Sequence, residues 1–158
     1  MPGRNEEAKA HAMTVVTLRE VTAATVRAIC ALETAQEQKR FVAPNAVSIA
    51  QAYFEPRAIF RAIYAEEIPV GFVMWRTADE AETAYLWRFM IDRNHQGKGY
   101  GERAIAQLTD LLRDTGYRRL TTSVVLGCGG PIDFYQSRGF VETGATTTNG
   151  ERVLLRIL

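Results

Sequence analysis

The segment that most restricts the possible folds runs from Ala84 to Asp114. An apolar β-run, Ala84–Ile91 (AYLWRFMI), passes into Asn94-His95-Gln96-Gly97-Lys98-Gly99-Tyr100-Gly101, and a helix-period stretch, Gly101–Asp114, follows at once. In the last of these, Ile105, Leu108, Leu111 and Leu112 recur at helical spacing, and Gly116 stands where a C-cap glycine belongs. The strand lacks strict alternation, as expected of a central strand covered on both faces. Three alternating glycines allow close backbone approach, and amides at a helix N-terminus, helped by its dipole, suit phosphate oxygens. The loop is therefore predicted to receive an anion, with Arg88, Arg93, Lys98 and Arg103 close by in sequence. It matches neither the triphosphate loop Gly-x-x-x-x-Gly-Lys-Ser/Thr nor the dinucleotide loop Gly-x-Gly-x-x-Gly.

The rest of the chain sets this unit inside one domain. Its 158 residues suit a single core, and 47% apolar with 23% charged residues is ordinary globular composition. With 19 basic and 18 acidic residues the net charge is only +1, so no nucleic-acid partner is expected. The most apolar stretch, Ile68–Trp75, is too short to cross a bilayer and contains Pro69 and Gly71, so no membrane association is expected either. Cys30 and Cys128 are far apart and lack the short ligand spacing of a zinc site, which predicts no metal and a reduced, cytoplasmic protein. Residues 1–13 read as a flexible polar leader, with Met13 as a candidate internal start, and residues 14–158 as the domain.

Within that domain the predicted order is a strand at Thr14–Arg19, a helix from about Ala23 to Glu33, a lid over residues 34–45 and a short helix at Ser48–Tyr53. A hairpin follows, Arg57–Ala65 with Val70–Arg76, although the first run also fits a helix by period. After the central strand, loop and helix come a strand at Leu120–Leu126 and a short helix at Pro131–Arg138. Phe140–Thr148 and Arg152–Ile157 close the order as an antiparallel pair around Asn149-Gly150.

Two motifs then carry a resemblance. Gln96-x-x-Gly99-x-Gly101 resembles the pyrophosphate loop of the GCN5-related N-acetyltransferase (GNAT) family, and Phe134-Tyr135-Gln136-Ser137-Arg138-Gly139-Phe140 resembles that family's Phe-Tyr-x-x-x-Gly-Phe segment. The resemblance spans residues 14–158. It implies an α/β GNAT fold: a mixed, mostly antiparallel central sheet splayed between strands four and five and flanked by helices. It also implies acetyl-CoA as cosubstrate, with Phe89, Met90 and Ile91 offering backbone groups to the pantetheine. Gln96, Gly97, Lys98, Gly99, Tyr100, Gly101 and Glu102 would surround the pyrophosphate. Tyr135 matches the tyrosine that protonates the departing thiolate in many members. Cys128 stands seven residues earlier, where the family commonly has Asn that contacts the cofactor.

The acceptor amine must shed a proton before it attacks. Some polyamine-acetylating relatives carry Glu where this chain has Trp87, so that route to a base is closed and Glu82, Tyr85 and Glu37 remain as candidate bases; Glu37, Glu82, Tyr85 and Trp87 are the candidate acceptor contacts. Glu37-Gln38-x-x-Phe41-Val42-Ala43-x-Asn45-x-x-Ser48 and Trp87-Arg88-Phe89-Met90-Ile91-Asp92 are similar to bacterial spermine/spermidine acetyltransferases. A polyamine acceptor follows from this resemblance, and Glu33, Glu37, Glu55, Asp79, Glu80 and Glu82 are expected to border it. The alternatives are another amine (an antibiotic, an amino acid or a peptide N-terminus) or a non-catalytic acyl-CoA binding module. A homodimer is also expected, since the resembling family often pairs through its sheet and Val153–Leu158 is an apolar terminal run.

Overall fold

The computed structural model describes residues 3–158. A seven-stranded sheet organises it, from β1 (Val16–Arg19) through β2 (Ala58–Ala65), β3 (Ile68–Thr77), β4 (Thr83–Ile91) and β5 (Arg119–Val124) to β6 (Val141–Thr146) and β7 (Arg152–Ile157). The spatial order is β1-β2-β3-β4-β5-β7-β6, with β4 and β5 parallel and every other pair antiparallel. A parallel neighbour needs a crossover, and α4 (Tyr100–Asp114) supplies it after the glycine loop. The splay is explicit in the pairing. Residues 83–86 of β4 face Arg119–Thr122 of β5, whereas residues 88–91 pair with β3 alone.

Each face of the sheet has its own apolar cluster. On one, α4 packs Ile105, Leu108 and Leu112 against Val73, Trp75, Leu86, Leu120 and Leu154, all buried. Full burial of each such side chain contributes about 1.5–3 kcal/mol. Leu111, which shares the helical spacing, is 39% exposed and lies at the margin of this face. On the other face, α2 (Val26–Cys30) and α3 (Asn45–Tyr53) cover Phe72, Met74 and Met90 through Ile29 and Ile49. β3 and β4 can approach closely because Gly71 has no side chain: a Cβ there would lie 2.4 Å from the Met90 carbonyl oxygen.

Several boundaries differ from the sequence reading. The expected long helix after β1 is only Val26–Cys30; Thr22 and Thr25 bond to each other in a preceding turn. The helix alternative for the first hairpin run loses to the strand, since β2 is bonded to β1 and β3 on both sides. Arg4–Met13, within the segment read as a flexible polar leader, is a helix, α1; residues 1 and 2 of that leader lie outside the described residues. The apolar end run, β7, is not an unpaired edge: β5 and β6 flank it, and the edges are β1 and the exposed β6. No helix among the described residues is long and apolar enough to cross a membrane.

Candidate active site

The divergence of β4 from β5 opens a cavity of about 890 Å³. Trp87, Arg88, Phe89, Met90 and Ile91 form one wall, Thr122 to Val125 the opposite one, and the start of α4 the third. On the β5 side, residues 87–91 have no strand partner, so an amide-bearing chain could bond there as an added strand does. The Phe89 side chain is stacked on Phe134 at 5.7 Å, and Met90 is buried against Asn45, whose Nδ2 approaches its sulfur at 3.7 Å. Of the predicted pantetheine trio, then, the Phe89 and Met90 side chains serve packing, and the carbonyl of Ile91 accepts from Gln96.

At the helix end, Gly97 and Gly99 have φ of 76° and 79°, a left-handed conformation that disfavours residues with a Cβ. Arg103 holds the loop from behind: its guanidinium donates to the carbonyls of Lys98 at 3.0 Å and Gly99 at 3.2 Å. The positive end of the α4 dipole faces this loop, a setting that favours anionic oxygen. Gln96, Gly97, Gly99, Tyr100, Gly101 and Glu102 line the cavity; Lys98 does not. Tyr100 is a core residue by its side chain, and Glu102 pairs with Arg138, which also lines this end. Arg138 Nε is buried with no protein partner, so this end has cationic capacity not consumed by the fold. These features fit the diphosphate and pantetheine of an acyl-CoA. Gln96 bonds within the protein: its Nε2 donates to Ile91 O at 2.9 Å and to Gln38 Oε1 at 2.7 Å, tying the loop to the segment above the cavity.

That segment is the predicted lid. A 3-10 turn at Gln36–Gln38 begins it, and residues 38–44 line the cavity before α3. Asp92, buried just past β4, anchors its start by accepting from the amides of Glu33 at 2.9 Å and Asn94 at 3.2 Å. On the far side Arg40 donates to Cys128 O at 2.9 Å. The lid and the facing loop lie close together: a Cβ on Gly127 would stand 3.0 Å from the end of the Arg40 side chain, and one on Gly130 would stand 3.0 Å from Gly127 O and 3.2 Å from Phe41. Gly129 and Gly130 reach the cavity, whereas Cys128 is exposed and does not line it.

Tyr135 projects from α5 (Ile132–Ser137) to the cavity floor, 6% exposed and edge-on to Phe134 and Phe140. Gly139, at φ 88°, turns the chain so that Phe140 can enter the core behind it. Burial holds the Tyr135 phenol above its ordinary value, with a hydrogen bond to Thr122 pulling the other way. The group therefore carries its proton at neutral pH and can donate it.

The remaining predicted contacts divide. Tyr85 and Trp87 line the cavity, and Trp87 is the extra residue of a bulge, since Leu86 faces Trp75 and Arg88 faces Met74. Glu37 and Glu82 are exposed and line no part of it; Glu82 occupies a left-handed turn position at φ 53° and caps β5 through its carbonyl. The other expected acidic residues also fall outside the lining, with Glu33 paired to Lys39 and both Glu55 and Asp79 paired to Arg57. Sequence reasoning missed Glu151, Ser123 and Asn149, which do line the cavity. Asn149 and Glu151 lie in the turn before β7 and meet Ser123 only through the β5–β7 pairing; the Asn149-Gly150 signal marks the turn and says nothing of the cavity.

Comparison with known proteins agrees with this geometry. A spermine/spermidine N(1)-acetyltransferase of Bacillus subtilis (strain 168) is 28% identical over 154 residues, covering 90% of this chain and 99% of the relative. Among solved structures, an acetyltransferase from Thermus thermophilus has a TM-score of 0.68 at 22% identity, covering 92% of this chain and 100% of its own. The PaiA N-acetyltransferase of Thermoplasma acidophilum, in complex with coenzyme A, has a TM-score of 0.67 at 13% identity, covering 91% and 99%. The model of the Acetyltransferase (GNAT) family matches residues 23–140, and with the splayed β4–β5 pair, the glycine loop and α4 all inside that span, the chain belongs to the GNAT acetyltransferases.

Proposed function

We propose that the protein transfers the acetyl group of acetyl-CoA to a small primary amine by direct attack in a ternary complex. The carrying observation is the single cavity that joins the anion cradle at the start of α4, the unpaired backbone of residues 87–91 and the protonated phenol of Tyr135. Backbone groups of Phe89, Met90 and Ile91 would hold the pantetheine, and the Gly97–Glu102 amides the diphosphate. Tyr135 would protonate the leaving thiolate. A phenol is a weaker acid than a thiol, about 10 against about 8.5 in their ordinary states, and burial raises Tyr135 further, so the proton stays on Tyr135 until negative charge develops on the departing sulfur in the transition state.

A polyamine acceptor is supported by the names of the Bacillus relatives. The lining offers one carboxylate on the acceptor side, Glu151, so one ammonium would be held inside and the rest of the chain would run out past the mouth. Arg88 favours a second reading, an amine that also carries an anionic group. Its guanidinium lines the same half, bonded to Trp87 O and Gln51 Oε1 at 3.0 Å each. The free thiols Cys30 and Cys128 suit a reducing compartment, and a cytoplasmic homodimer completes the proposal.

Thiol release from acetyl-CoA, followed with spermidine, spermine, monoamines and amino acids in parallel, tests it. Amine-dependent release matched by acetylated product is expected, and the ranking of acceptors decides between the two readings. Release that no amine stimulates, with acetyl-CoA nonetheless bound, would replace the enzyme by a binding module.

A further inference from the structure

The acceptor half of the cavity contains three hydrogen-bonded side chains from three separate parts of the chain. Tyr85 Oη on β4 lies 2.6 Å from Ser123 Oγ on β5. Ser123 in turn donates to Glu151 Oε2, just before β7, at 2.8 Å. All three residues line the cavity. Donor counting gives the chain a direction. A hydroxyl has one proton, and an ionised carboxylate only accepts, so Ser123 spends its proton on Glu151. Ser123 must then accept from Tyr85, and the remaining lone-pair capacity of Tyr85 Oη is left for a donor in the cavity.

We propose that Tyr85, Ser123 and Glu151 form the proton-accepting relay for the acceptor amine, a deepening that rests on the acetyltransferase reading above. The ammonium of the acceptor gives one proton to Tyr85 Oη as Tyr85 passes its own to Ser123 Oγ and Ser123 passes its own to Glu151. The freed lone pair attacks the thioester carbonyl carbon; the C–N bond forms, and the C–S bond breaks with its electron pair leaving on sulfur. The second nitrogen proton is lost as the amide forms, the thiolate takes a proton from Tyr135, and that lost proton restores the phenol. Half-buried Glu151 returns its proton to water, so the net products are amide, free thiol and one proton.

The placement of the two ends suits this division of labour. Thr122 and Ser123 are consecutive on β5, where side chains alternate in direction. The Thr122 hydroxyl serves the Leu86 carbonyl at 2.9 Å and meets Tyr135, while Ser123 serves the relay. The charged and titratable groups around the relay are Arg88, within electrostatic reach of both Tyr85 and Glu151, Arg76, 5.0 Å above the Tyr85 ring, and Tyr135 beyond Tyr85. Arg152, next in sequence to Glu151, is paired with Glu142. A cation at Arg88 opposes a second cation beside it, which favours the neutral amine over the ammonium.

The test measures kcat/KM for a high-pKa amine against pH, from about 6 to 9, in the whole protein and in Glu151→Gln, Ser123→Ala and Tyr85→Phe, each also checked by thermal melting. Gln retains an oxygen that can accept from Ser123, so Glu151→Gln is expected to fold. A loss of about 10² near neutral pH is expected in each variant, the size ordinary for one acid–base function. The Ser123→Ala/Glu151→Gln double variant should lose no more than either single one, because the residues act as a unit. The deficit should shrink as pH rises toward the pKa of the amine, which then arrives already neutral. A Glu151→Gln profile parallel to wild type, or a deficit independent of pH, overturns the relay. Failure of the wild-type protein to acetylate any amine overturns the function reading and the relay with it.

Discussion

Replacing Tyr135 by Phe removes one hydroxyl from the cavity floor and leaves the ring that packs on Phe134 and Phe140. The structural loss is the contact with Thr122, whose own hydroxyl still donates to Leu86 O at 2.9 Å. One such bond contributes about 0.5–1.5 kcal/mol, small against the roughly 5–15 kcal/mol of a stable domain, so the variant should fold and bind acetyl-CoA normally. The catalytic loss should be larger. Without a proton for the thiolate, transfer should slow about 10²-fold, equivalent to about 2.7 kcal/mol of transition-state stabilisation. If chemistry limits turnover, kcat and kcat/KM should fall together. The assay is thiol release in single turnovers with a saturating amine, repeated with an acetyl thioester of a low-pKa aryl thiol. That donor leaves with little need of protonation and should narrow the gap. The phenol is held above its ordinary value, so no fall in wild-type rate below about pH 10 should come from Tyr135 ionisation. For stability the sign is the same: the folded state holds this proton more tightly, so its contribution is intact below about pH 10 and erodes above it. Equal single-turnover rates for both proteins with acetyl-CoA would refute the role.

Gly99→Val should weaken acetyl-CoA binding by about tenfold or more in calorimetry with an unchanged far-UV spectrum. The left-handed φ of 79° strains a residue with a Cβ by about 1–2 kcal/mol, and binding must restore that loop conformation; unaltered affinity would sink the assignment. Leu108→Ala should cost about 2–5 kcal/mol in denaturant unfolding, whereas Leu111→Ala, 39% exposed in the parent, should cost much less; equal losses would contradict the α4 packing. β6 is an exposed edge, so light scattering should report twice the mass of one chain; a single-chain mass at every concentration rejects the dimer.

What the sequence made legible was what local chemistry controls. The glycine loop and α4 were visible because strand, positive-φ positions and amphipathic helix are contiguous, and the Phe134–Phe140 segment because its three aromatics and Gly139 belong to one short helix and the turn that ends it. The relay was invisible for the opposite reason: Tyr85, Ser123 and Glu151 meet only after β5 has paired with β4 and β7. Glu37 and Glu82 illustrate the same limit. A carboxylate near a site in sequence has no bearing on which side of its turn faces the cavity, and both turn outward. The family resemblance singles out Trp87, but the bulge that leaves it unpaired is a property of the β3–β4 register. The short α2 likewise reflects competition by Thr22 and Thr25 side chains that apolar periodicity does not register.

The central claim is that one cavity both holds acetyl-CoA and passes its acetyl group to an amine. Single-turnover transfer from acetyl-labelled acetyl-CoA, with protein in excess and product identified by mass, addresses it directly. The label should appear on the amine nitrogen with one free thiol released per acetyl group moved, and Gly99→Val and Tyr135→Phe should each slow its appearance. Label that stays on bound acetyl-CoA, whatever amine is supplied, would contradict the account.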